Sequence, residues 1–138
     1  MFGWFRKKDL APQEFADNAT AFAHACKLGY EPRIGAVIPG LVEEEGRPGR
    51  DGERVFLLRL AAKGGERRAW GSLLKGSPGA PAPGDFIGFH IVRIASELPA
   101  DAELIGYVAC TLVPIALGSQ WRIDRSLTPA NLKPELHM

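Results

Sequence analysis

Two successive runs of apolar and β-branched residues, Phe86 to Ala95 and Leu104 to Leu117, constrain the fold of this chain more than any other feature. The first has apolar residues at both parities, so a strand built from it buries most of both faces and belongs inside a sheet. The second follows the polar connection Ser96 to Glu103, and the two predict an antiparallel pair. A membrane-crossing helix needs about 17 to 25 apolar residues, and the second run stops too soon, at Glu103 and Gly118. Its β-branched residues and Pro114 also favour a strand. Pro114 marks an edge or a kink that can divide the run in two. Gly88 and Gly106, near the start of each run, permit a bulge, a bend or the close approach of another backbone.

Ahead of these runs, Asp9 to Leu28 predicts a helix with Phe15, Ala19, Phe22 and Cys26 on one apolar stripe, Pro12 in its first turn and Gly29 ending it. The stripe is expected to cover one face or one open end of a sheet. Arg33 to Glu45, broken at Pro39-Gly40 and resuming with Leu41-Val42 before three glutamates, predicts a kinked edge strand, with a short proline-led helix from Pro39 as the competitor. Gly46 to Gly52 is a loop rich in turn formers. Val55 to Leu74 predicts a hairpin about Gly64-Gly65, with Lys63 opposite Glu66, Ala61 opposite Arg68, Arg59 opposite Trp70 and Leu57 opposite Ser72. One face is then apolar, through Phe56, Leu58 and Leu60, and the other carries charges and Trp70.

Gly76 to Gly84 is a Pro/Gly connector, treated as a loop within one domain because neither side could bury a core alone. A last strand spans Gln120 to Leu127. About six strands with glycine-rich turns and one preceding helix predict a mainly β fold, a small antiparallel barrel or strongly curved sheet of SH3-like or OB-like type. A two-layer α+β sheet is the alternative. Residues 1–8 then form an aromatic and basic N-terminal segment, 9–128 a single globular domain and 129–138 a C-terminal tail.

The residues that could carry chemistry fall into no recognisable constellation. His24 and Cys26 point in different directions from a helix, His90 lies in a buried-looking strand where a hydrogen-bonded structural role is expected, and His137 is in the tail. Neither a metal site nor a cofactor is expected. Ser72 lacks the G-x-S-x-G elbow, and the glycine-rich stretches lack the GK[ST] ending of a phosphate loop. Asp85, Asp101, Glu103 and Asp124 are read as solvated turn carboxylates rather than an acid/base pair. With Cys26 and Cys110 read as buried free thiols and no secretory signal, the expected compartment is the reducing cytoplasm.

What remains is a surface. Arg59, Arg68 and Trp70, joined by Lys63 and Arg67, can receive a protein or peptide partner, and a non-enzymatic binding module is the leading reading. The bland reading is that Arg59 stacks on Trp70 as a cross-strand pair and shields it. The same residues with Arg122 and Arg125 could bind single-stranded nucleic acid, but a net charge of +1 gives little steering. A third reading is a peripheral membrane adaptor acting through Phe2, Trp4, Phe5, Arg6, Lys7 and Lys8, against a loose terminus or an aromatic plug. Strand edges beside Pro39 and Pro114 leave a homodimer open.

Overall fold

In a computed structural model that describes residues 11–95 and 102–130, the two apolar runs do pair antiparallel. They form β5 (Phe86–Ala95) and β6 (Glu103–Leu117). Around them lie β1 (Gln13–Glu14), α1 (Asn18–Leu28), β2 (Val37–Glu45), β3 (Val55–Leu60), β4 (Arg67–Ser72) and β7 (Gln120–Ser126). The ring runs β2-β3-β4-β6-β5 and returns to β2, giving a closed five-stranded barrel with one helix and two outer strands. All contacts are antiparallel except β4–β6, which is parallel and limited to Gly71↔Gly106 and Ser72↔Tyr107. The barrel is therefore mixed. Its third strand lies beside its fifth.

The period-2 pattern of the strands sorts the apolar residues into two cores. Ile38, Val42, Phe56, Leu58, Leu60, Ile87, Phe89, Ile91 and Val108 fill the barrel interior. A second cluster lies under the helix: Ala21, Phe22, Ala25, Ala61, Phe86, Cys110, Leu112, Ala116 and Trp121. Tyr30 touches both clusters. Its hydroxyl donates to the Ser119 carbonyl at 2.6 Å and accepts from Trp121 Nε1 at 2.9 Å. Both cysteines are free thiols, and burial pushes Cys110 up to about 11.

The helix is shorter than its apolar spacing implies. It starts at Asn18 rather than near Asp9, because Asp17 caps it, accepting from Thr20 N and Thr20 Oγ1, each at 2.7 Å. Phe15 therefore lies off the helix, where its amide donates to the Pro114 carbonyl at 2.9 Å, and the buried helical residues are Ala21, Phe22 and Ala25. Pro12 precedes the short strand β1, which pairs with Ile115 and Ala116. Gly29 ends the helix as expected, with φ 67°. The side-chain hydrogen bond from Thr20, then that from its backbone, holds the Asp17 carboxyl below its ordinary value of 3.8. A depressed acid stabilises the fold above that value and ceases to do so as pH falls through the folded one. Asp17→Ala is thus expected to lower the urea midpoint at neutral pH, with the gap from wild type closing below about pH 4. A gap that persists at pH 2 would show that the cap acts without its charge.

Two proline expectations are corrected. The 33–45 segment is not an edge: β2 is continuous through Pro39-Gly40 and is hydrogen-bonded on both sides, to β3 and β5. The cost of the missing N–H is avoided by a substitution of donors. Ala61 N donates to the Pro39 carbonyl at 2.9 Å, so an amide at residue 39 would donate back to the Ala61 carbonyl. That carbonyl instead accepts from Tyr30 N at 3.0 Å. Gly40 is required by close approach, since a Cβ there would lie 2.9 Å from the Arg59 carbonyl oxygen and from Leu60 Cδ2. Pro114, likewise, does not split its run. β6 is one 15-residue strand, and Pro114 falls where the β6–β7 register shifts between Leu112 and Ala116.

The hairpin keeps its predicted faces but slips by two residues. Leu57 pairs with Trp70, Arg59 with Arg68 and Leu60 with Arg67. Ala61 and Ala62 leave the ladder to meet Pro39 and Tyr30, and Lys63 N donates to the Tyr30 carbonyl at 2.8 Å. The connection is therefore longer than the two-residue turn expected at Gly64-Gly65.

Candidate functional site

The outward face of β2, β3 and β4 is organised in rows set by the register. One row carries Leu41, Arg59 and Arg68, and the next carries Glu44, Leu57 and Trp70. Gly46 closes the second row toward the loop, donating its amide to the Val55 carbonyl at 2.8 Å. The loop beyond it is tied by Gly49 N to the Glu53 carbonyl at 2.8 Å and by Asp51 N to Glu53 Oε2 at 3.0 Å.

Of the three residues expected to form the surface, the structure brings two together and places the third one row away. Arg59 Nε donates to Glu66 Oε1 and lies 3.7 Å from Glu43 Oε1, while Arg68 NH2 is 3.2 Å from the same Glu43 oxygen. The Glu66 hydrogen bond, ahead of the Glu43 charge, pushes the Arg59 guanidinium up. Arg59 does not cover Trp70, because the register puts Arg68 opposite it, and its guanidinium lies 5.2 Å from the centre of the Phe22 ring. Lys63 is 3.7 Å from Glu31, and Arg67 donates to the Ala102 carbonyl at 3.1 Å. Each of these cations therefore has an acceptor. An exposed pair of this kind contributes about 0 to 1 kcal/mol, so the network's main effect is to cancel a basic patch.

Trp70, by contrast, is open. It is 52% exposed, the one exposed aromatic among the described residues. It forms a wall of a cleft of about 760 Å³, lined also by Glu44, Gly46, Arg47, Gly49 and Val55. The benzo edge of the indole abuts Gly46: a Cβ there would come 2.5 Å from Trp70 Cζ3. Neither Gly46 nor Glu44 was legible as part of a site, since only the observed register aligns residue 44 with residue 70. A larger cleft, about 840 Å³, lies on the other side of the loop against Arg54, Leu73, Lys75, Ser77 and Pro78, with no aromatic ring in its lining.

The other candidates scatter. His90 and Tyr107 pair across β5 and β6 with rings 4.9 Å apart. A hydrogen-bonded structural role is expected for His90, but its buried Nδ1 has no partner among the described residues. Asp85 Oδ2 accepts from Ala82 N at 2.8 Å within its own turn, and Asp124 Oδ2 accepts from Thr111 Oγ1 at 3.3 Å between β6 and β7. Arg122 and Arg125 lie on β7, outside the Trp70 cleft. Among the described residues no group of three or more His, Cys, Asp and Glu could hold a metal, and no helix is long and apolar enough to cross a membrane. Phe2, Trp4, Phe5, Arg6, Lys7, Lys8, Asp101 and His137 lie outside the described residues.

No protein-family model, curated protein or solved structure matches this chain. Any functional reading rests on the cleft itself.

Proposed function

We propose that the chain is a non-enzymatic binding module that seats a side chain of a protein or peptide partner in the Trp70 cleft. The observation that carries this reading is the exposed indole, braced by Gly46 and standing over the Val55 floor. A ring held in place before binding gives up little freedom when a ligand arrives, and a large aromatic in a cleft is the kind of residue that dominates interface energy. Trp70 also lies on the third barrel strand beside the loop joining the first two, which is where OB-like barrels take their ligands. That argument is one of analogy between folds.

The same position favours a second reading, single-stranded nucleic acid stacked on Trp70. The paired state of Arg59 and Arg68 weighs against it, since neutralised cations release few counterions on binding phosphate.

One experiment separates these readings. Random dodecapeptides displayed on phage are selected on the protein and rescreened on Trp70→Ala. Selected peptides are expected to lose about thirtyfold in affinity or more, the scale of an interface hot spot, while the protein stays folded because half of the side chain is exposed. Peptides that bind both proteins equally would overturn the assignment. A mobility shift of single-stranded DNA at low salt, lost in Trp70→Ala and at high salt, would install the second reading in its place.

A further inference from the structure

The charges around the cleft define what it accepts. Residues 43 to 45 are consecutive glutamates, and two of them are committed: Glu43 to Arg59 and Arg68, and Glu45 to Arg54, whose NH2 is 2.5 Å from Glu45 Oε1. Glu44 is exposed and has no ion-pair partner among the described residues. It is also the one that shares a row with Trp70, with Leu57 between them, on the outward face. A β-bulge makes this so. The β2–β3 register shifts between Val42 and Glu44, and without the extra residue Glu43 rather than Glu44 would stand opposite Leu57.

We infer that the cleft recognises a cationic side chain, a lysine or arginine of the partner peptide, held between the Trp70 ring and the Glu44 carboxylate. This rests on the proposed binding function and specifies its ligand. A negative ring face and an unpaired carboxylate on either side of an apolar floor are complementary to an alkyl stem ending in a positive charge. The stem lies over Leu57 and Val55 while the charge meets the two acceptors. Arg47 also lacks an ion-pair partner among the described residues, but it lies three positions on, past Gly46 toward the loop tip. There it suits a carbonyl or carboxylate of the same peptide and not the cation beside the ring.

The test uses the dodecapeptides that depend on Trp70. Each is resynthesised with every lysine and arginine replaced by norleucine, and each original peptide is titrated into wild type, Glu44→Gln and Glu44→Lys by isothermal calorimetry. The expected results are enrichment of basic residues, a loss of about fivefold or more on norleucine replacement, a similar loss with Glu44→Gln, and a greater one with Glu44→Lys. Trp70-dependent peptides that tolerate norleucine, or that bind Glu44→Gln as tightly as wild type, would overturn the inference while leaving the binding function standing. If no selected peptide depends on Trp70, the binding function fails and the inference with it.

Discussion

Gly106→Ala is expected to lower folding stability by about 3 kcal/mol or more, at the upper end of what overpacking costs, read as a fall in the urea midpoint. A Cβ at residue 106 would run into the His90 carbonyl oxygen and lie 2.9 Å from its carbon and 3.0 Å from Phe89 Cζ. The first two are backbone atoms of β5, so no side-chain rotation relieves the contact. Neither can the strand move aside freely. Gly106 pairs with Ile91 on β5 and with Gly71 on β4, where the ring closes through only two residue pairs. Relief on one side strains the closure on the other. Gly64→Ala is the control: φ is 88° there but nothing lies within 4 Å of the added carbon, so its cost is the conformational one alone, about 1 to 2 kcal/mol. Equal losses for the two variants would mean that the β4–β6 seam yields, and that closure contributes less than the geometry implies.

The hairpin shows what a hydrophobic pattern can and cannot decide. A one-residue slip turns every side chain over, so alternation in Val55–Leu60 and Arg67–Ser72 suffices to put Phe56, Leu58 and Leu60 inside and Arg59 and Trp70 outside. A two-residue slip changes neither face, and the pattern is blind to it. A further contact that the pattern does not show is made elsewhere: Tyr30 takes the Ala61 carbonyl that Pro39 leaves without a donor. The same event places the proline inside the sheet, against the local rule that puts it at an edge. Local chemistry was informative at the helix end, where Gly29 closes it, but an apolar spacing running back to Phe15 hid the Asp17 cap at its start. Phe15 is apolar because it meets Trp121, with ring centres 5.5 Å apart, and not because it is helical.

The candidate surface was legible to the same depth. That Trp70 faces outward follows from parity. Whether arginines accompany it depends on Glu43 and Glu66, which register and a bulge bring to Arg59 and Arg68. The residues that now frame the ring, Glu44 and Gly46, follow from the same register, which is why no motif announces them.

Trp121→Ala is expected to cost about 3 to 5 kcal/mol, as for other buried aromatics, although the residue lies outside the barrel interior. Its ring meets Phe15, His24 and Phe86, the last edge-on at 4.8 Å between centres, and its Nε1 donates to Tyr30. These contacts join the turn after β1, α1, β5 and β7 at a single side chain. Two further variants divide the volume from the hydrogen bond. Trp121→Phe keeps much of the ring contact and loses the donor, for about 1 kcal/mol from the bond itself; Tyr30→Phe leaves a buried indole N–H without an acceptor, for about 1 to 3 kcal/mol. Since both remove the same bond, the double variant is expected to cost less than the sum. Unfolding of Trp121→Ala should remain a single transition. Ala61 and Phe86 of the outer cluster sit on the same strands, or their direct continuation, as Leu60 and Ile87 of the inner one, so neither core can melt while the other keeps its ladder. Amide exchange checks this directly. If Trp121→Ala exposes the Asn18–Leu28 amides while those of Phe89 and Ile91 stay protected, the helix and its cluster form a separate unit laid on an independently stable barrel.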